Sequence, residues 1–281
     1  MNEKNKIKNA NAACRAARSL HWPIFIILCL LLKSCNKQST VTHFSQNVMT
    51  IDYHIQIGDP LTKAQKEKVQ TIIADTFSET DRIYNKWNPH SELSYINALP
   101  AHTPHTLSPE LLHLFQKIDF FVAISKGKFD PTIEPLSQLW KAKLEQGLTP
   151  TEDEIQIIKP SIGWNRIIIK NGILTKQHSQ TQIDLGGIAK GFCIDLLIDR
   201  LNKESFENVY VEWGGDIRAI GHHPLGRPWR ISIKGIEKPG QSIATFDLIN
   251  KAIATSGDYF QYWQINDKII VTYSIPLHYS L

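Results

Sequence analysis

Apolar and polar positions follow two periods along the chain. Ile51, Tyr53, Ile55 and Ile57 occupy every second position, which predicts a half-buried strand. From Thr62 the spacing lengthens: Val69, Ile72, Ile73, Phe77, Thr80, Ile83 and Tyr84 recur at helical intervals. Thr62 with Gln65 three residues on reads as the capping box that opens this helix. A second helix is predicted from Ser108, a capping residue followed by Pro109 in the first turn. Its inward stripe is Leu111, Leu112, Phe115, Ile118 and Val122, and Gly127 follows its end. Thr151 with Glu154 opens a short third helix.

Strands dominate the second half. Residues 167–174 read as a hairpin in which Asn171-Gly172 supplies the positive backbone angles of a tight turn. Gln182-Ile-Asp184 is predicted to end a strand, Gly186-Gly187 to turn the chain, and a helix to run to about Asn202. Further strands are expected at 208–213, 216–220, 229–234, 243–249, 252–255 and 260–265. Helices and strands mix without a βαβ rhythm. The predicted class is therefore α+β, with largely antiparallel sheets flanked by helices.

Charge changes the picture at the N-terminus. The chain has 31 basic and 27 acidic side chains. Residues 1–34 hold Lys4, Lys6, Lys8, Arg15, Arg18 and Lys33 against Glu3, leaving 25 basic and 26 acidic groups for residues 35–281. So neutral a body excludes a nucleic-acid partner, and the basic excess belongs to targeting. The apolar run Trp22–Leu32 is shorter than the ~20 residues of a membrane span and reads as a signal peptide. Leu32-Lys-Ser-Cys35 resembles a lipoprotein box, in which Cys35 would carry lipid after cleavage. The expectation is a bacterial lipoprotein anchored in the inner membrane on its periplasmic side. Ordinary secretion and a short uncleaved anchor are the alternatives. The expected organisation is a signal at 1–34, a tether at 35–46, a folded domain at 47–274 and an aberrant tail at 275–281. Cys193 is then left without a cysteine partner. Apolar helical neighbours make it a buried structural thiol rather than a nucleophile.

Candidate chemistry concentrates in four places. Gln182-Ile-Asp-Leu-Gly-Gly-Ile-Ala-Lys-Gly191 joins the carboxylate Asp184, a glycine pair and Lys190 in a helix's first turn. Free N–H groups and the positive dipole end suit a phosphate there. By spacing alone, a tight turn with a solvated lysine is an equal reading. In Gly127-Lys-Phe-Asp-Pro-Thr-Ile-Glu-Pro-Leu136, Phe129 and Asp130 can sandwich a planar ring and bond its edge, or simply terminate a helix. Trp87 follows a helix, where it can stack on a ligand or pack conventionally. Val211–Arg218 and Ala254–Tyr259 put small residues and carboxylates at strand ends. No two of the histidines have metal-ligand spacing.

Taken in order, these segments carry a resemblance. Ser91-Glu-Leu-Ser…Asn97, Gly127-x-Phe-Asp-Pro-Thr-x-x-Pro-Leu136, Asp184-Leu-Gly-Gly-Ile-Ala-Lys-Gly191, Gly214-Gly-Asp-Ile-Arg218, Pro228-Trp229 and Thr255-Ser-Gly-Asp-Tyr259 resemble the FAD:protein FMN transferase (ApbE) family, from about 47 to 274. The resemblance implies a reaction: FMN is moved from FAD to a threonine of an acceptor protein, with magnesium, and AMP is released. It also implies site residues. Met49 (or Val48) and Trp87 would flank the flavin, while Lys128, Phe129 and Asp130 occupy the flavin-contacting tripeptide. Asp184 and Lys190 match FAD-contacting positions, and Gly187 matches one that gives its backbone carbonyl to magnesium.

After Tyr273-Ser274 the pattern changes to Ile275-Pro-Leu-His-Tyr-Ser-Leu281. The family's motif histidine and side-chain magnesium ligands have no counterpart, so the catalytic residue is left unassigned. A truncated or frameshifted member is the expectation. An active transferase, a vestigial flavin-binding lipoprotein, an FAD pyrophosphatase and an unrelated solute-binding module are the readings carried forward.

Overall fold

A computed structural model of the protein describes residues 40–234, 241–255, 262–265 and 268–271. The expectations for the signal, Cys35 and its lipid, the Ser256–Tyr259 part of its motif and the tail at 275–281 lie outside the described residues. Twelve strands are described: β1 Thr42–Val48, β2 Ile51–Ile57, β3 His105–Thr106, β4 Ile167–Lys170, β5 Ile173–Lys176, β6 Val209–Trp213, β7 Asp216–Ile220, β8 Trp229–Lys234, β9 Ser242–Leu248, β10 Lys251–Ile253, β11 Tyr262–Ile265 and β12 Lys268–Val271. The α-helices are α1 Lys63–Tyr84, α2 Glu92–Ala98, α3 Pro109–Ile124, α4 Glu134–Leu144, α5 Glu152–Ile158 and α6 Ala189–Lys203. Among the described residues no helix is long and apolar enough to cross a membrane.

The main sheet has the order β1-β2-β6-β7-β10, with each neighbouring pair antiparallel. Smaller antiparallel sheets are β3-β5-β4, β8-β9 and β11-β12. The α+β expectation is met. Alternation along β6 sends Val209, Val211 and Trp213 to one face, where Val69, Ile73 and Phe77 of α1 and Cys193, Ile194 and Leu197 of α6 cover them. The opposite face places Ile217 and Ala219 against Trp229 and Leu248 of the β8–β9 hairpin. Buried aliphatic side chains of this size each contribute about 1.5–3 kcal/mol.

A second core gathers Leu93 and Ile96 of α2, Leu111, Leu114, Phe115 and Ile118 of α3, Leu174 of β5, and Ile183 and Leu185. The long helices span both cores: Ile83 and Tyr84 end α1 in the second, and Phe192 near the start of α6 joins them. The chain therefore leaves α1 and enters α6 at the seam between the cores.

Local signals resolve as predicted where one residue decides them. Thr62 with Gln65 and Thr151 with Glu154 form reciprocal capping boxes, and Ser108 caps α3 ahead of Pro109. Asn171 and Gly172 take φ of 52° and 75° in the β4–β5 turn. Cys193 is fully buried, and burial pushes its thiol up to about 12, as suits a structural thiol.

Two expectations need correction, and one helix was not predicted. Residues 42–46, assigned to the tether, belong to edge strand β1, which pairs with β2 along its length. Only Phe44 of that strand is buried, so it shows no alternation. Gln182-Ile-Asp184 is not a strand, because its backbone bonds to the Asn97 side chain and the Pro131 carbonyl instead of a ladder. Helix α4, for which no element was predicted, starts directly after the Pro131–Ile133 turn. Pro135 in its first turn is compatible with a helix start.

Candidate functional site

The seam brings three loops together, each held by polar side chains. After α1, Asn85 Nδ2 and Asn88 Nδ2 both donate to the Asp81 carboxylate, at 2.6 and 2.8 Å. Trp87 N donates to Asn85 Oδ1, and Ser94 Oγ to Lys86 O. This knot projects Trp87 outward, 77% exposed, with the Lys86 ammonium 4.9 Å from the indole centroid.

The second loop follows α3. Asp130 Oδ1 accepts from Thr132 N and Oγ1 at 2.8 and 2.6 Å, and its Oδ2 accepts from Trp164 N at 3.2 Å. Thr132, fully buried, accepts from Gly163 N at 2.7 Å. Asp130 is thus an N-cap and a cross-link, which leaves Phe129 beside it as the ring facing the cleft.

The third loop, 177–188, is held from below by Lys176. That side chain is fully buried and donates to the carbonyls of Asn97, Thr181 and Ser179 at 2.8, 3.0 and 3.2 Å. Burial pushes its pKa down to about 8. Asn97 then reads Ile183 as a strand neighbour would, accepting from its N–H at 2.7 Å and donating to its carbonyl at 2.9 Å. Asp184 N donates to Pro131 O at 2.7 Å, joining this loop to the second.

A cleft of 580 Å³ opens between the second and third loops, within the size range of small-molecule sites. Phe129, Ile133, Leu136, Ile155 and Ile162 supply its apolar lining, and Lys128, Asp130, Asp184 and Gly187 also border it. Five of the residues expected to act together therefore do meet: Lys128, Phe129, Asp130, Asp184 and Gly187. A Cβ on Gly187 would lie 3.5 Å from Phe129 Cε2, so this glycine packs close against the ring. No side chain caps α6 just beyond it.

The others are placed differently. Met49 lies on the β1–β2 turn at φ 49° and lines a separate 770 Å³ cavity with Val48, Tyr53, Phe77 and Asn85. It does not border the Phe129 cleft. Lys190 reaches across to Gly214 O at 2.8 Å and lies 3.6 Å from Asp216. Gly214 itself is at φ +57°, and a Cβ there would meet Ile51 Cγ2 at 2.9 Å and Lys190 Nζ at 3.4 Å. Only glycine lets the β6–β7 turn lie so close to both.

Two residues of the seam were not singled out from sequence. Lys86 Nζ bonds Glu134 Oε2 at 2.7 Å and Asp184 Oδ2 at 3.0 Å. Burial opposes its charge, but the hydrogen bonds and charges of Glu134 and Asp184 outweigh that and raise its pKa. Glu134 stands inside the quoted Gly127–Leu136 segment, and Lys86 directly precedes Trp87. Their pairing spans 48 positions, however, and no local pattern announces it.

Comparison with known proteins decides the family. The ApbE family model matches residues 49–275. The chain belongs to the ApbE family. A relative named FAD:protein FMN transferase from Chlamydia pneumoniae is 40% identical over 246 residues, covering 87% of this chain and 76% of that one. One of the same name from Vibrio cholerae is 30% identical, covering 87% and 74%. The apo crystal structure of the flavinyl transferase ApbE of Pseudomonas stutzeri superposes with a TM-score of 0.70 at 27% identity, over 82% of this chain and 72% of that one. The ApbE fold thus accounts for the two cores and their seam.

Magnesium can be tested against the residues themselves. Among the described residues no group of three or more His, Cys, Asp or Glu side chains is arranged to hold a metal. The Asp184 carboxylate is engaged at both oxygens, by Lys86 and by Gly186 N at 2.7 Å. A Gly187 carbonyl alone does not make the near-octahedral shell that magnesium requires. The described residues therefore do not by themselves fit the ion.

Proposed function

We propose that this chain is an FAD:protein FMN transferase, moving FMN from FAD to a threonine of an acceptor protein. The observation that carries the reading is the cleft in which Phe129, Asp184 and Gly187 meet beside the uncapped start of α6. Kinship with proteins named for that reaction supports it.

In this reading the threonine Oγ attacks the phosphorus on the flavin side of the pyrophosphate. A new P–O ester bond forms, the bridging P–O bond breaks, and AMP leaves with the bridging oxygen. The threonine proton passes to a base not assigned among the described residues. Trp87 and Met49 flank the flavin ring, Lys128, Phe129 and Asp130 border FAD in the cleft, and Asp184 and Lys190 contact it. The first-turn N–H groups of α6 and the Lys190 ammonium favour the negative charge that accumulates as the bond breaks. Magnesium, with Gly187 O as one ligand, belongs to the proposal as the ion accompanying the substrate. Lipid on Cys35 would hold the domain at the periplasmic side of the inner membrane, where the acceptor must also be exposed.

Incubation of the chain with FAD, magnesium and a threonine-bearing acceptor tests this. The expected outcome is an acceptor mass increased by one FMN ester, with one AMP released per transfer. AMP release without a mass gain would make water the acceptor and the protein a pyrophosphatase. Flavin binding with neither product would leave a binding protein.

A further inference from the structure

Lys86 sits where three segments meet: the end of α1, the first residue of α4 and the loop before α6. Its side chain is 18% exposed, against 10% for Glu134 and 26% for Asp184. Glu134 alone would neutralise it, and Glu134 is fixed from behind, since its Oε1 accepts from Gln138 at 3.0 Å. Gln138 also donates to Gln182 Oε1 at 3.0 Å, which ties α4 to the chain two residues before Asp184. The ammonium is therefore anchored independently of Asp184, whereas Asp184 Oδ2 depends on the ammonium. The same charged group faces the Trp87 indole.

We propose that Lys86 is a positioning residue of the cleft, holding the Asp184 carboxylate in the orientation that receives FAD. This rests on the reading of the cleft as an FAD site. With one oxygen on Lys86 and the other on Gly186 N, the Asp184 carboxylate cannot rotate, and each oxygen keeps a lone pair for a ligand donor. Lys86 also offsets one of the carboxylate charges beside the cleft, which an anionic dinucleotide would otherwise meet. Neither role needs Lys86 to touch the reacting atoms.

The test is FAD binding to the full chain, followed by flavin fluorescence, in a double-mutant cycle. Removing Lys86 alone would leave Glu134 and Asp184 facing each other, so the informative variant is Lys86→Met with Glu134→Gln, which removes the pair together. Its thermal melt reports whether the fold survives. We expect FAD affinity to fall about tenfold in this pair variant and to be largely retained in Lys86→Arg. In an Asp184→Asn background the same pair change should cause no further loss, because its target is already gone. Unchanged affinity in the folded pair variant, or a loss that simply adds to that of Asp184→Asn, overturns the proposal and leaves the FAD reading standing. Absence of FAD binding by the unaltered chain overturns both.

Discussion

The main sheet and the seam are held by different kinds of partner. In the sheet, β2 and β6 bond each other through five consecutive residue pairs, and apolar side chains from α1 and α6 cover one face. At the seam, the backbone of 181–184 finds no ladder. Its bonds go to the Lys176 ammonium, the Asn97 amide and the Pro131 carbonyl, while the Thr181 hydroxyl donates to Ser161 O. A repeated pattern tolerates the loss of one member, because its neighbours still specify the register. A loop keyed by single polar groups has no such redundancy. The same arrangement leaves the seam free of the regular pairing that would fill a cleft.

The comparison breaks most sharply at Lys176. Replacing it with Met leaves three carbonyls without their donor, and at about 1–3 kcal/mol for each unsatisfied group the loss should exceed about 3 kcal/mol in denaturant unfolding. Its pH dependence carries a definite sign. The folded pKa is about 8 against an ordinary 10.5, so between those values the folded chain has released a proton that the unfolded chain keeps. Stability contributed through this group therefore rises with pH across that window, and Lys176→Met should abolish that rise. A variant as stable as the parent, with the same pH slope, would show that the loop is held otherwise.

Within the sheet, Leu197→Ala at the fully buried centre of the α6 contact should cost about 3 kcal/mol, through lost burial and the cavity left behind. The effect should be global, lowering the melting temperature without selective exposure of 177–188 in hydrogen exchange. Selective exposure there would mean that the two cores share less of their stability than α6 suggests.

The same contrast governs what was legible in the sequence. Period two along Ile51–Ile57 and helical spacing after Thr62 found β2 and α1, because each element buries one face. Single-residue signals found the caps at Thr62, Ser108 and Thr151 and the turn at Asn171-Gly172. Edge strand β1 was missed because it buries only Phe44, and 182–184 was read as a strand because extended chain looks alike whatever its partner. Motif order placed Phe129, Asp130, Asp184 and Gly187 in one reading, and the fold gathers them at one cleft. Lys86 and Glu134 escaped because an ion pair across two loops leaves no periodic trace. Met49 lines a cavity with Asn85 and not the Phe129 cleft, a placement that no periodicity or motif order announces.

Asn97 offers the finest way to sharpen the contrast. Its amide stands in for a strand neighbour of Ile183, supplying both an acceptor and a donor at the end of α2. The site is partly exposed, so water can replace part of what Asn97→Ala removes. The global cost should accordingly be only about 1–2 kcal/mol, below that of Leu197→Ala. The local consequence should be larger. Ile183 lies one residue before Asp184, and its amide should exchange markedly faster, together with those of Asp184 and Gly186, while amides of β2 and β6 remain protected. FAD affinity should weaken with that loosening, since Asp184 then loses the support of its fixed neighbour Ile183. If protection falls evenly across sheet and seam instead, the two regions form one cooperative unit, and the cleft inherits its order from the cores rather than from its polar keys.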